Sequence, residues 1–324
     1  MKIAINGFGR IGRIFFRQAY NHPDIEVVAV NDLGNKDNLL YLLERDSVYG
    51  KFDLPGKIKD IKFLQEKNPA KLPWKDLNVD IVVESTGFFA SYKKSKAHLD
   101  AGAKRVVISA PVKDDDTLTF TPNVCSGDIA KFKITSNASC TTNAVTPILA
   151  IMAQNPGIKK AILNTVHGYT ATQGIVDKPD EKDWRRGRAG AINIVPSTTG
   201  AAVAAAKAIP GMVNKFDGVA MRVPVASGSL IDFTFVSEKQ TSAEEINNIF
   251  REAAAQPEWQ GIIKLADSAL VSTDILGEPH GSIIDGDFTR VVGGDLVKIF
   301  SWYDNEWGYA AMLIKHIEAL KNFL

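Results

Sequence analysis

The chain has 324 residues, of which 45% are hydrophobic and 23% are charged, and its formal net charge is +1. This length exceeds what one core usually covers, so two domains are expected, and the near-neutral charge argues against nucleic acid or a membrane as a main partner. The two cysteines, Cys125 and Cys140, are spaced neither as a disulfide framework nor as a zinc site, and no signal-peptide pattern is present, so we expect a cytoplasmic protein without a metal.

Short β-rich runs alternate with helical patterns in the first part of the chain. The runs predicted as strands are Ile3–Ile5, Glu26–Val30, Val79–Glu84 and Arg105–Ile108, and those predicted as helices are Ile11–Tyr20, Asn38–Glu44 and Ser91–Ala101. This alternation predicts a parallel sheet with right-handed crossovers. The turn residues Pro55 and Gly56 predict a hairpin inserted over residues 50–65.

A glycine-rich turn follows the first predicted strand and opens the first predicted helix. Its sequence, Gly7-Phe8-Gly9-Arg10-Ile11-Gly12, has the G-x-G-x-x-G spacing of a dinucleotide-binding turn. Gly7 permits the tight turn, Gly9 lets the backbone approach a pyrophosphate, and Gly12 allows close packing of helix and strand. Asp32 ends the second strand about 20 residues later, where a carboxylate holds ribose hydroxyls and repels a 2′-phosphate. The pattern therefore predicts NAD rather than NADP, and the alternative is a structural turn with an acid nearby by chance.

The run Ser139-Cys140-Thr141-Thr142-Asn143 stands at the start of an apolar helical pattern, in which Pro147 is expected to kink or shorten the helix. A helix N-terminus carries unpaired N–H groups and a partial positive charge, and both stabilise a thiolate, the nucleophilic form of cysteine. His167 follows a predicted strand and is the candidate base, so we expect the two residues to form a thiolate–imidazolium pair. The alternative for Cys140 is a small buried hydrophobe, and for His167 a structural histidine.

After Cys140 the predicted strands are less regularly separated by helices. The strands are Ala161–Val166, Gly218–Val223, Leu230–Val236 and Leu296–Tyr303, and the helices are Ala201–Ala208, Ser242–Ala255 and Gly308–Leu324. This pattern is typical of a mixed sheet.

Three further segments carry residues suited to binding anions. The run Pro196-Ser197-Thr198-Thr199-Gly200 precedes a predicted helix, so its hydroxyls and N–H groups stand at a helix N-terminus. Arg222 lies inside an apolar run, and a nearly buried arginine pairs either with a phosphate or with a structural carboxylate. Arg185, Arg186 and Arg188 form a basic cluster that is either a solvated loop or part of an anion site.

The order of these motifs resembles that of the phosphorylating glyceraldehyde-3-phosphate dehydrogenase family over essentially the whole chain. The matching segments are Asn6–Arg13, Glu84–Gly87, Ser109–Pro111, Ser136–Asn143, Lys182–Arg185, Pro196–Ala202, Arg222–Pro224 and Trp302–Glu306. With the predicted elements, the resemblance implies an α/β fold of two domains. Residues 1–139 plus 304–324 would form a Rossmann-type parallel sheet domain for NAD, with the C-terminal helix packed back on it. Residues 140–303 would form a catalytic α+β domain with a mixed, mostly antiparallel sheet.

The resemblance also implies roles for individual residues. Cys140 is similar to the family's nucleophile and His167 to its acid–base residue. The residues similar to NAD contacts are Gly7, Gly9, Arg10, Ile11, Gly12, Asp32, Ser109 and Asn305, the last of which corresponds to the partner of the nicotinamide amide. Lys67 is also assigned to the cofactor site but departs from the family, since many members carry an arginine at this position near the adenine. The residues similar to the site for inorganic phosphate are Ser139, Thr141, Thr199 and Gly200, and those similar to the site for the substrate phosphate are Thr170 and Arg222. An arginine of the 185–188 cluster joins the substrate phosphate site; Arg185 is the candidate, and the choice within the cluster stays open.

For the activity, the resemblance implies oxidation of D-glyceraldehyde 3-phosphate by NAD with inorganic phosphate to 1,3-bisphosphoglycerate, through a hemithioacetal and a thioester on Cys140. It also implies a homotetramer, in which the loop over residues 168–193 completes a neighbouring subunit's cofactor site. The alternative enzyme is erythrose-4-phosphate dehydrogenase, a close relative, against which Asp32, Thr170 and the intact Thr198-Thr199-Gly200 run argue. The alternative from another class is a non-catalytic nucleotide- or RNA-binding module, against which the low net charge argues.

Overall fold

The structure, a computed structural model, describes residues 1–54, 56–125, 127–181, 183–209 and 211–324. Pro55 of the predicted turn and Lys182 of a family motif lie outside the described residues. The chain divides into two compact units. Unit 1 contains Met1–Thr121, Gly127–Ser139 and Ala310–Leu324, and unit 2 contains residues 122–125 and Cys140–Tyr309. In the described part of the chain, no helix is long and apolar enough to cross a membrane.

The predicted helices and strands occur in their predicted order, and the structure adds strands in both parts of the chain. The helices are α1 (Arg10–Ala19), α2 (Lys36–Glu44), α3 (Tyr92–Asp100), α4 (Cys140–Gln154), α5 (Ala201–Ala208), α6 (Ala243–Ala255) and α7 (Trp307–Ala319). The strands up to residue 139 are β1 (Lys2–Asn6), β2 (Glu26–Asn31), β3 (Arg45–Asp46), β4 (Gly50–Lys51), β5 (Lys62–Leu64), β6 (Ile81–Glu84), β7 (Arg105–Ile108), β8 (Leu118–Thr119) and β9 (Ile134–Ser136). The strands after it are β10 (Ile158–Gly168), β11 (Val195–Thr198), β12 (Phe216–Val223), β13 (Ser229–Ser237), β14 (Ile263–Leu265), β15 (Ser282–Val292) and β16 (Leu296–Tyr303).

The main sheet of unit 1 is parallel throughout and runs in the order β5-β2-β1-β6-β7-β9-β8. The central strands β6 and β7 are buried along their whole length, as expected of parallel strands that are covered on both faces. In register, Asn6 lies beside both Asn31 and Glu84, so the carboxyl ends of β1, β2 and β6 meet at one edge of the sheet. Ligands of open parallel sheets bind at this edge. The predicted Rossmann-type parallel sheet is confirmed.

The hairpin predicted over residues 50–65 is wrong. The antiparallel pair in this region is β3 with β4, in which Arg45 lies opposite Lys51. The strand β5 instead lies parallel to β2, with Ala29 beside Lys62. A short strand satisfies main-chain groups along the edge of β2, and this long-range pairing is not visible in a local turn signal.

The C-terminal segment packs within unit 1. His316 of α7 is fully buried, and its ring lies between Thr135 and Asn137, with distances of 2.9 Å from Nε2 to Thr135 Oγ1 and 3.2 Å from Nδ1 to Asn137 Oδ1. Burial lowers the pKa of His316 to about 3. Arg105 of β7 donates to the carbonyl oxygen of Phe323 at 2.9 Å. The last residues of the chain are therefore part of the sheet domain that the first residues begin.

Unit 2 contains the predicted mixed, mostly antiparallel sheet, in the order β11-β12-β10-β13-β16-β15-β14. Four of the neighbouring pairs are antiparallel, and the pairs β10–β12 and β14–β15 are parallel. Buried and half-buried residues alternate along β13, where Ile231, Phe233 and Phe235 face the core. The helix α4 contacts β13 and β15 of this sheet, and its first residue is Cys140.

Pro147 does not shorten α4, although the sequence predicted a kink or a shorter helix. The helix runs without interruption from Cys140 to Gln154. Proline inside a helix costs roughly 3 kcal/mol because it removes one hydrogen bond and crowds the preceding turn. Ile148, Leu149 and Met152 after the proline are all fully buried, and burying such side chains contributes about 1.5–3 kcal/mol each. Tertiary packing therefore outweighs the local penalty.

Candidate active site

The glycine-rich turn between β1 and α1 is shaped by close backbone contacts. Gly7 has a φ of +95°, and a Cβ at this position would lie 2.6 Å from the backbone nitrogen of Thr86. A Cβ at Gly12 would overlap with the carbonyl oxygen of Gly7. Among the described atoms, nothing lies within 4 Å of a Cβ at Gly9, so that side of the turn is open. A dinucleotide-binding turn requires this combination of two tight positions and one open one.

Asp32 lies beside this turn at the end of β2. Its Oδ2 accepts from the Phe8 N–H at 2.6 Å, and its Oδ1 accepts from the Gly34 N–H at 2.8 Å. These bonds fix the carboxylate next to the start of α1, whose N-terminus carries no side-chain cap. The cleft in front of it has a volume of about 770 Å³, and its lining includes Asn6, Gly7, Gly9, Asp32, Leu33, Lys67, Ser85, Thr86, Phe88 and Phe89. An acid, an open glycine and an uncapped helix start in one cleft fit the ribose and pyrophosphate of NAD.

The other residues predicted to contact the cofactor differ in what they contact. The guanidinium of Arg10 forms an ion pair with Asp46, so its side chain is directed to the β3–β4 hairpin. Ile11 belongs to the first turn of α1. Ser109 follows β7, where its N–H donates to the carbonyl oxygen of Glu84 at 2.9 Å. The backbone of Arg10, rather than its side chain, is thus the part that faces the turn.

A buried polar network lies beneath the cleft and was not predicted from the sequence. The carboxylate of Glu84 accepts from the Thr86 N–H at 2.8 Å and from the Asn6 amide at 2.5 Å. Its Oε2 lies 3.1 Å from Nε2 of His98, and the Trp74 indole N–H donates to Nδ1 of the same ring at 3.0 Å. Because indole is only a donor, the proton of His98 is on Nε2 and is donated to Glu84. The network fixes two residues that line the cleft.

In unit 2, the structure brings together the two residues predicted to carry the chemistry. Sγ of Cys140, the first residue of α4, lies 3.3 Å from Nε2 of His167 near the end of β10. His167 is 3% exposed, and its ring packs edge to face against Tyr303 at a centroid distance of 6.0 Å. A nucleophile and a base within hydrogen-bonding reach are the core of covalent catalysis at a cysteine.

Arg222 of β12 contacts the other nitrogen of the same ring. In the parallel pair β10–β12, Arg222 lies beside His167 in register, and its Nη1 is 2.5 Å from Nδ1 of His167. Nδ1 also lies 2.6 Å from the carbonyl oxygen of Gly168. Burial and the charge of Arg222 together lower the pKa of His167 to about 3.

The pKa shifts of Cys140 and His167 bear on the expected thiolate–imidazolium pair. Burial raises the pKa of the Cys140 thiol, against the opposing effects of the Arg222 charge and of hydrogen bonds from Thr141. The pKa of His167 is lowered, so each shift is in the direction of the uncharged form of its group. The positive charge that acts on both the sulfur and the ring is the guanidinium of Arg222, which lowers the pKa of Cys140 and of His167.

A chain of buried hydroxyls supports the cysteine. The Tyr303 hydroxyl lies 2.9 Å from Thr141 Oγ1 and 2.8 Å from Thr165 Oγ1. Thr141 is 4% exposed, and its hydroxyl is bound within the protein. If Thr141 binds inorganic phosphate, the phosphate competes with Tyr303 for the Thr141 hydroxyl. Thr199 and Gly200 lie at the start of α5 and are not buried. Ser139 directly precedes Cys140 in the chain and is partly exposed.

Of the arginines in the 185–188 cluster, Arg186 is the one whose charge acts on Arg222. Arg185 is exposed and lies 3.5 Å from Asp183, whereas Arg186 donates to Thr172 at 2.7 Å, and Thr172 lies 2.9 Å from the Thr170 hydroxyl. The charge of Arg186 also lowers the pKa of Arg222, after the larger effect of burial. Nε of Arg186 and Nε of Arg222 are both buried without a hydrogen-bond acceptor among the described residues. Two half-buried arginines, each with a buried Nε–H that has no acceptor among the described residues, fit a bound dianion.

Asn305 is held by a different set of donors. Its side-chain oxygen accepts from the Gly228 N–H at 3.0 Å and from the Ser229 hydroxyl at 2.8 Å. The oxygen is thereby occupied, and the amide NH₂ is the part of Asn305 suited to donate to a ligand. No group of three or more potential metal ligands was found among the described histidines, cysteines and acids.

Comparison with known proteins assigns the family. The model of the glyceraldehyde 3-phosphate dehydrogenase NAD binding domain matches residues 1–92, and the model of the C-terminal domain of the same family matches residues 139–305. Glyceraldehyde-3-phosphate dehydrogenases from Streptomyces coelicolor and Mycobacterium avium are 44% and 45% identical to the chain. Each alignment covers 97% of this chain and 96% of the relative. The chain belongs to the glyceraldehyde 3-phosphate dehydrogenase family.

For this family member, the sequence could have indicated one of the residues that we did not predict. Glu84 ends an otherwise apolar strand, and a carboxyl group in such a run signals a buried polar contact. Arg186 could not be separated from Arg185 and Arg188 by sequence, because the choice depends on the path of the loop around Thr172. His98 carried no local signal, since a histidine in an amphipathic helix is ordinary.

Proposed function

We propose that the chain is an NAD-dependent, phosphorylating glyceraldehyde-3-phosphate dehydrogenase. It would convert D-glyceraldehyde 3-phosphate, NAD and inorganic phosphate to 1,3-bisphosphoglycerate and NADH. The observation that carries this proposal is the distance of 3.3 Å between Cys140 Sγ and His167 Nε2 at the start of α4. The identity to dehydrogenases named for this reaction supports it.

The cleft of unit 1 would hold NAD, and unit 2 would be the catalytic domain. Gly7, Gly9 and Gly12, with the backbone of Arg10 and Ile11, would receive the pyrophosphate, and Asp32 would bind the ribose hydroxyls. Ser109 and Lys67 would contribute at the edges of the cleft. Asn305 would donate its amide NH₂ to the nicotinamide amide. When bound, NAD supplies the acceptor for the hydride of the aldehyde carbon.

Cys140 would act as the nucleophile and His167 as the acid–base residue. The sulfur attacks the aldehyde carbon to give a hemithioacetal, and His167 removes the proton of its hydroxyl as the hydride departs. The carbon is thereby oxidised to a thioester, which keeps the free energy of the oxidation. Inorganic phosphate then attacks the thioester carbon and displaces the Cys140 thiolate, so the product leaves as an acyl phosphate.

Two anion sites would serve the two phosphates. Arg222 and Arg186, with Thr170, would bind the phosphate of the substrate, because both guanidinium groups have buried donors without acceptors. Thr199 and Gly200, with Ser139 and Thr141, would bind inorganic phosphate at the start of α5. The fixed hydrogen bond between Thr141 and Tyr303 leaves Thr199 as the stronger candidate for direct contact.

A homotetramer and a cytoplasmic location complete the proposal. Several large apolar side chains in the segment that follows His167 are strongly exposed in the single chain: Ile175, Val176, Trp184, Ile192 and Ile194. Exposed apolar groups of this number commonly mark an interface between subunits. Their position supports the expectation that this loop contacts a neighbouring copy.

The proposal is tested by NADH absorbance with glyceraldehyde 3-phosphate and with erythrose 4-phosphate, each with and without inorganic phosphate. We expect NADH formation with glyceraldehyde 3-phosphate that depends on phosphate. Faster turnover of erythrose 4-phosphate would instead identify the erythrose-4-phosphate dehydrogenase. NADH formation that is independent of phosphate would indicate a hydrolytic aldehyde dehydrogenase, and the absence of any turnover would favour a binding module.

A further inference from the structure

The buried carboxylate of Glu84 receives four hydrogen bonds at the end of β6. Its Oε1 accepts from the N–H of Thr86 at 2.8 Å and from the hydroxyl of the same residue at 2.5 Å. Its Oε2 accepts from the Asn6 amide at 2.5 Å and from Nε2 of His98 at 3.1 Å. The side chains of Glu84 and His98 are 1% and 0% exposed, so the protein itself must supply every partner of this acid.

Each oxygen of Glu84 faces at least one group that can only donate. The Thr86 N–H points at Oε1, whereas the Asn6 amide nitrogen and His98 Nε2 meet at Oε2 and lie 3.4 Å from each other. Nε2 carries the proton of the ring, because Nδ1 accepts from the Trp74 indole N–H. A glutamine at position 84 would therefore place its NH₂ against a donor whichever way its amide turned. The four partners together require a carboxylate.

Glu84 also sets the direction of a chain of amides across the carboxyl ends of β1 and β2. Asn6 turns its NH₂ to Glu84, which leaves its Oδ1 to accept from the Asn31 amide at 2.7 Å. Asn31 accepts from the Glu66 N–H and donates to the Glu66 carbonyl oxygen, both at 2.9 Å. The acid at one end and a peptide backbone at the other thus fix the orientation of both amides.

The residues that this chain holds form part of the cofactor cleft, although Glu84 itself is not among the lining residues. The lining residues that belong to it are Asn6, Asn31, Glu66 and Thr86. Thr86 also abuts the glycine-rich turn, since a Cβ on Gly7 would lie 2.6 Å from its nitrogen. The neighbouring Ser85 donates to the Gly7 carbonyl oxygen at 2.7 Å. A shift of Thr86 would therefore move the turn that faces the pyrophosphate.

We propose that Glu84 is a positioning residue for NAD, which holds Asn6 and Thr86 in the orientations that shape the cleft without touching the cofactor itself. The inference rests on the proposed function, because that function places NAD in this cleft. A cleft that is ordered before binding loses less conformational freedom when the cofactor binds, so its affinity is higher. The acid acts on affinity rather than on the chemical step, because Cys140 and His167 belong to unit 2.

A purely structural acid would behave differently. If the network of Glu84 served only to stabilise the sheet of unit 1, its loss would lower the free energy of unfolding and leave the NAD affinity of the folded protein unchanged. The NAD dissociation constant of a folded variant therefore separates the two roles, and circular dichroism at the temperature of the titration verifies that the variant is folded.

Glu84→Gln keeps the size of the side chain and removes its charge. We expect NAD, measured by calorimetric titration, to bind about tenfold more weakly, because one buried donor loses its acceptor. The KM for NAD should rise by a similar factor, while turnover at saturating NAD stays within about threefold of the wild type. Glu26→Gln is the matched control, since Glu26 is exposed at the start of β2, and it should bind NAD as the wild type does. Wild-type affinity in folded Glu84→Gln would overturn the proposal.

A reciprocal exchange tests whether the match of donors and acceptors is the cause. In the double variant Asn6→Asp/Glu84→Gln, the acid and the amide change places. The new carboxylate accepts from Asn31 and His98, and the new amide donates to that carboxylate while its oxygen accepts from Thr86. We expect Asn6→Asp alone to weaken NAD binding, because two buried carboxylates then face each other, and the double variant to return to within about threefold of the wild type.

The double variant also decides the question if Glu84→Gln alone does not fold. A double variant that folds and binds NAD with nearly wild-type affinity upholds the role of Glu84. A double variant that binds NAD no more tightly than Glu84→Gln, or that does not fold, contradicts it.

NAD binding and aldehyde oxidation are measured separately, so the two proposals can fail separately. If the NAD affinities follow the expected order and glyceraldehyde 3-phosphate is not oxidised by the wild type, the role of Glu84 is upheld and the proposed function fails. If the wild type oxidises this aldehyde and folded Glu84→Gln binds NAD as tightly as the wild type, the function is upheld and the role of Glu84 fails.

Discussion

At the scale of single residues, Cys140 and Cys125 make a natural comparison, because they are the two cysteines of the chain and Cys140 is the one assigned to the chemistry beside His167. We expect Cys140→Ser to lose about a thousandfold or more in turnover, since the thioester can no longer form. The affinity for NAD should be kept, because the cleft belongs to unit 1. Steady-state NADH formation and calorimetric NAD binding measure the two effects.

Cys125→Ser is the control for this exchange and should retain turnover close to that of the wild type. Turnover of Cys140→Ser near the wild-type value would show that the nucleophile is another group. A parallel loss of NAD affinity would show instead that the exchange damages the fold.

Tyr303 illustrates a residue that acts on the site without touching a substrate. Its hydroxyl connects Thr165 with Thr141, and Thr141 in turn bonds the sulfur of Cys140. Tyr303→Phe leaves two buried hydroxyls without this partner, which should lower the apparent free energy of unfolding by about 1–3 kcal/mol. It should also raise the pH at which Cys140 becomes half-reactive towards iodoacetamide, because Thr141 loses the hydroxyl partner that orients it.

Tyr41→Phe removes the hydroxyl of an exposed tyrosine on α2 and serves as the control. It should change neither the unfolding midpoint nor the pH profile of alkylation. If Tyr303→Phe destabilises the protein but leaves the alkylation profile in place, the hydroxyl chain has only a structural role.

At the scale of elements, the turn between β1 and α1 offers two glycines with opposite requirements. Gly12→Ala should destabilise unit 1, because its Cβ would overlap with the Gly7 carbonyl oxygen. Gly9→Ala should fold normally, since a Cβ there meets no atom within 4 Å, but should weaken NAD binding by about tenfold or more because the methyl group enters the space of the pyrophosphate. Thermal unfolding and NAD titration distinguish the two variants. Unchanged NAD affinity in Gly9→Ala would place the pyrophosphate elsewhere.

The elements that the sequence predicted well are those with one dominant pattern. The apolar runs of β6 and β7 and the periodic helix α6 lie close to their predicted positions, because burial alone decides them. The strand β15 was not predicted, since Asp285 and Asp287 interrupt its apolar residues. Asp285 is buried opposite Phe300 of β16 and accepts from the Trp302 indole N–H at 2.9 Å, and Asp287 is exposed. The parallel edge strand β5 was missed because its partner, β2, is distant in the chain.

In the candidate site, too, contacts between segments that are distant in the chain could not be predicted from the sequence. Cys140, His167 and Arg222 were each found from local sequence, because a cysteine at a helix start and an arginine in a strand are unusual. The contact between Arg222 and His167 was not predicted, because it depends on the register of β10 against β12. The pKa shifts of the site follow from that contact and from burial, so they could not be derived from residue types.

At the scale of the whole molecule, buried histidines set the response to acid. The pKa values of His167 and His316 are lowered to about 3, against about 6.5 in an unfolded chain. The unfolded state therefore binds more protons between these values, and stability is fully present above pH 6.5 and falls as the pH decreases towards 3. The expected loss at pH 5 is about 2 kcal/mol for each histidine.

Urea unfolding between pH 5 and pH 8 measures this loss. In His316→Gln the decline towards pH 5 should be shallower than in the wild type, because one of the two groups is removed. His22 is partly exposed, and in His22→Gln the decline in stability towards pH 5 should be as steep as in the wild type. Equal slopes in the wild type and His316→Gln would exclude His316 as a source of acid sensitivity.

The return of the C-terminus to unit 1 has a consequence for biosynthesis. A ribosome releases the segments of unit 1 up to Ser139 long before it makes Ala310–Leu324. Until then, the ring of His316 is missing from between Thr135 and Asn137, and Arg105 lacks the Phe323 carbonyl. Unit 1 is therefore the first unit to be synthesised and the last that can complete its contacts. A nascent chain that stalls before α7 leaves Thr135, Asn137 and Arg105 of the sheet domain without these hydrogen-bond partners. We expect proteases to cleave such truncated chains in unit 1.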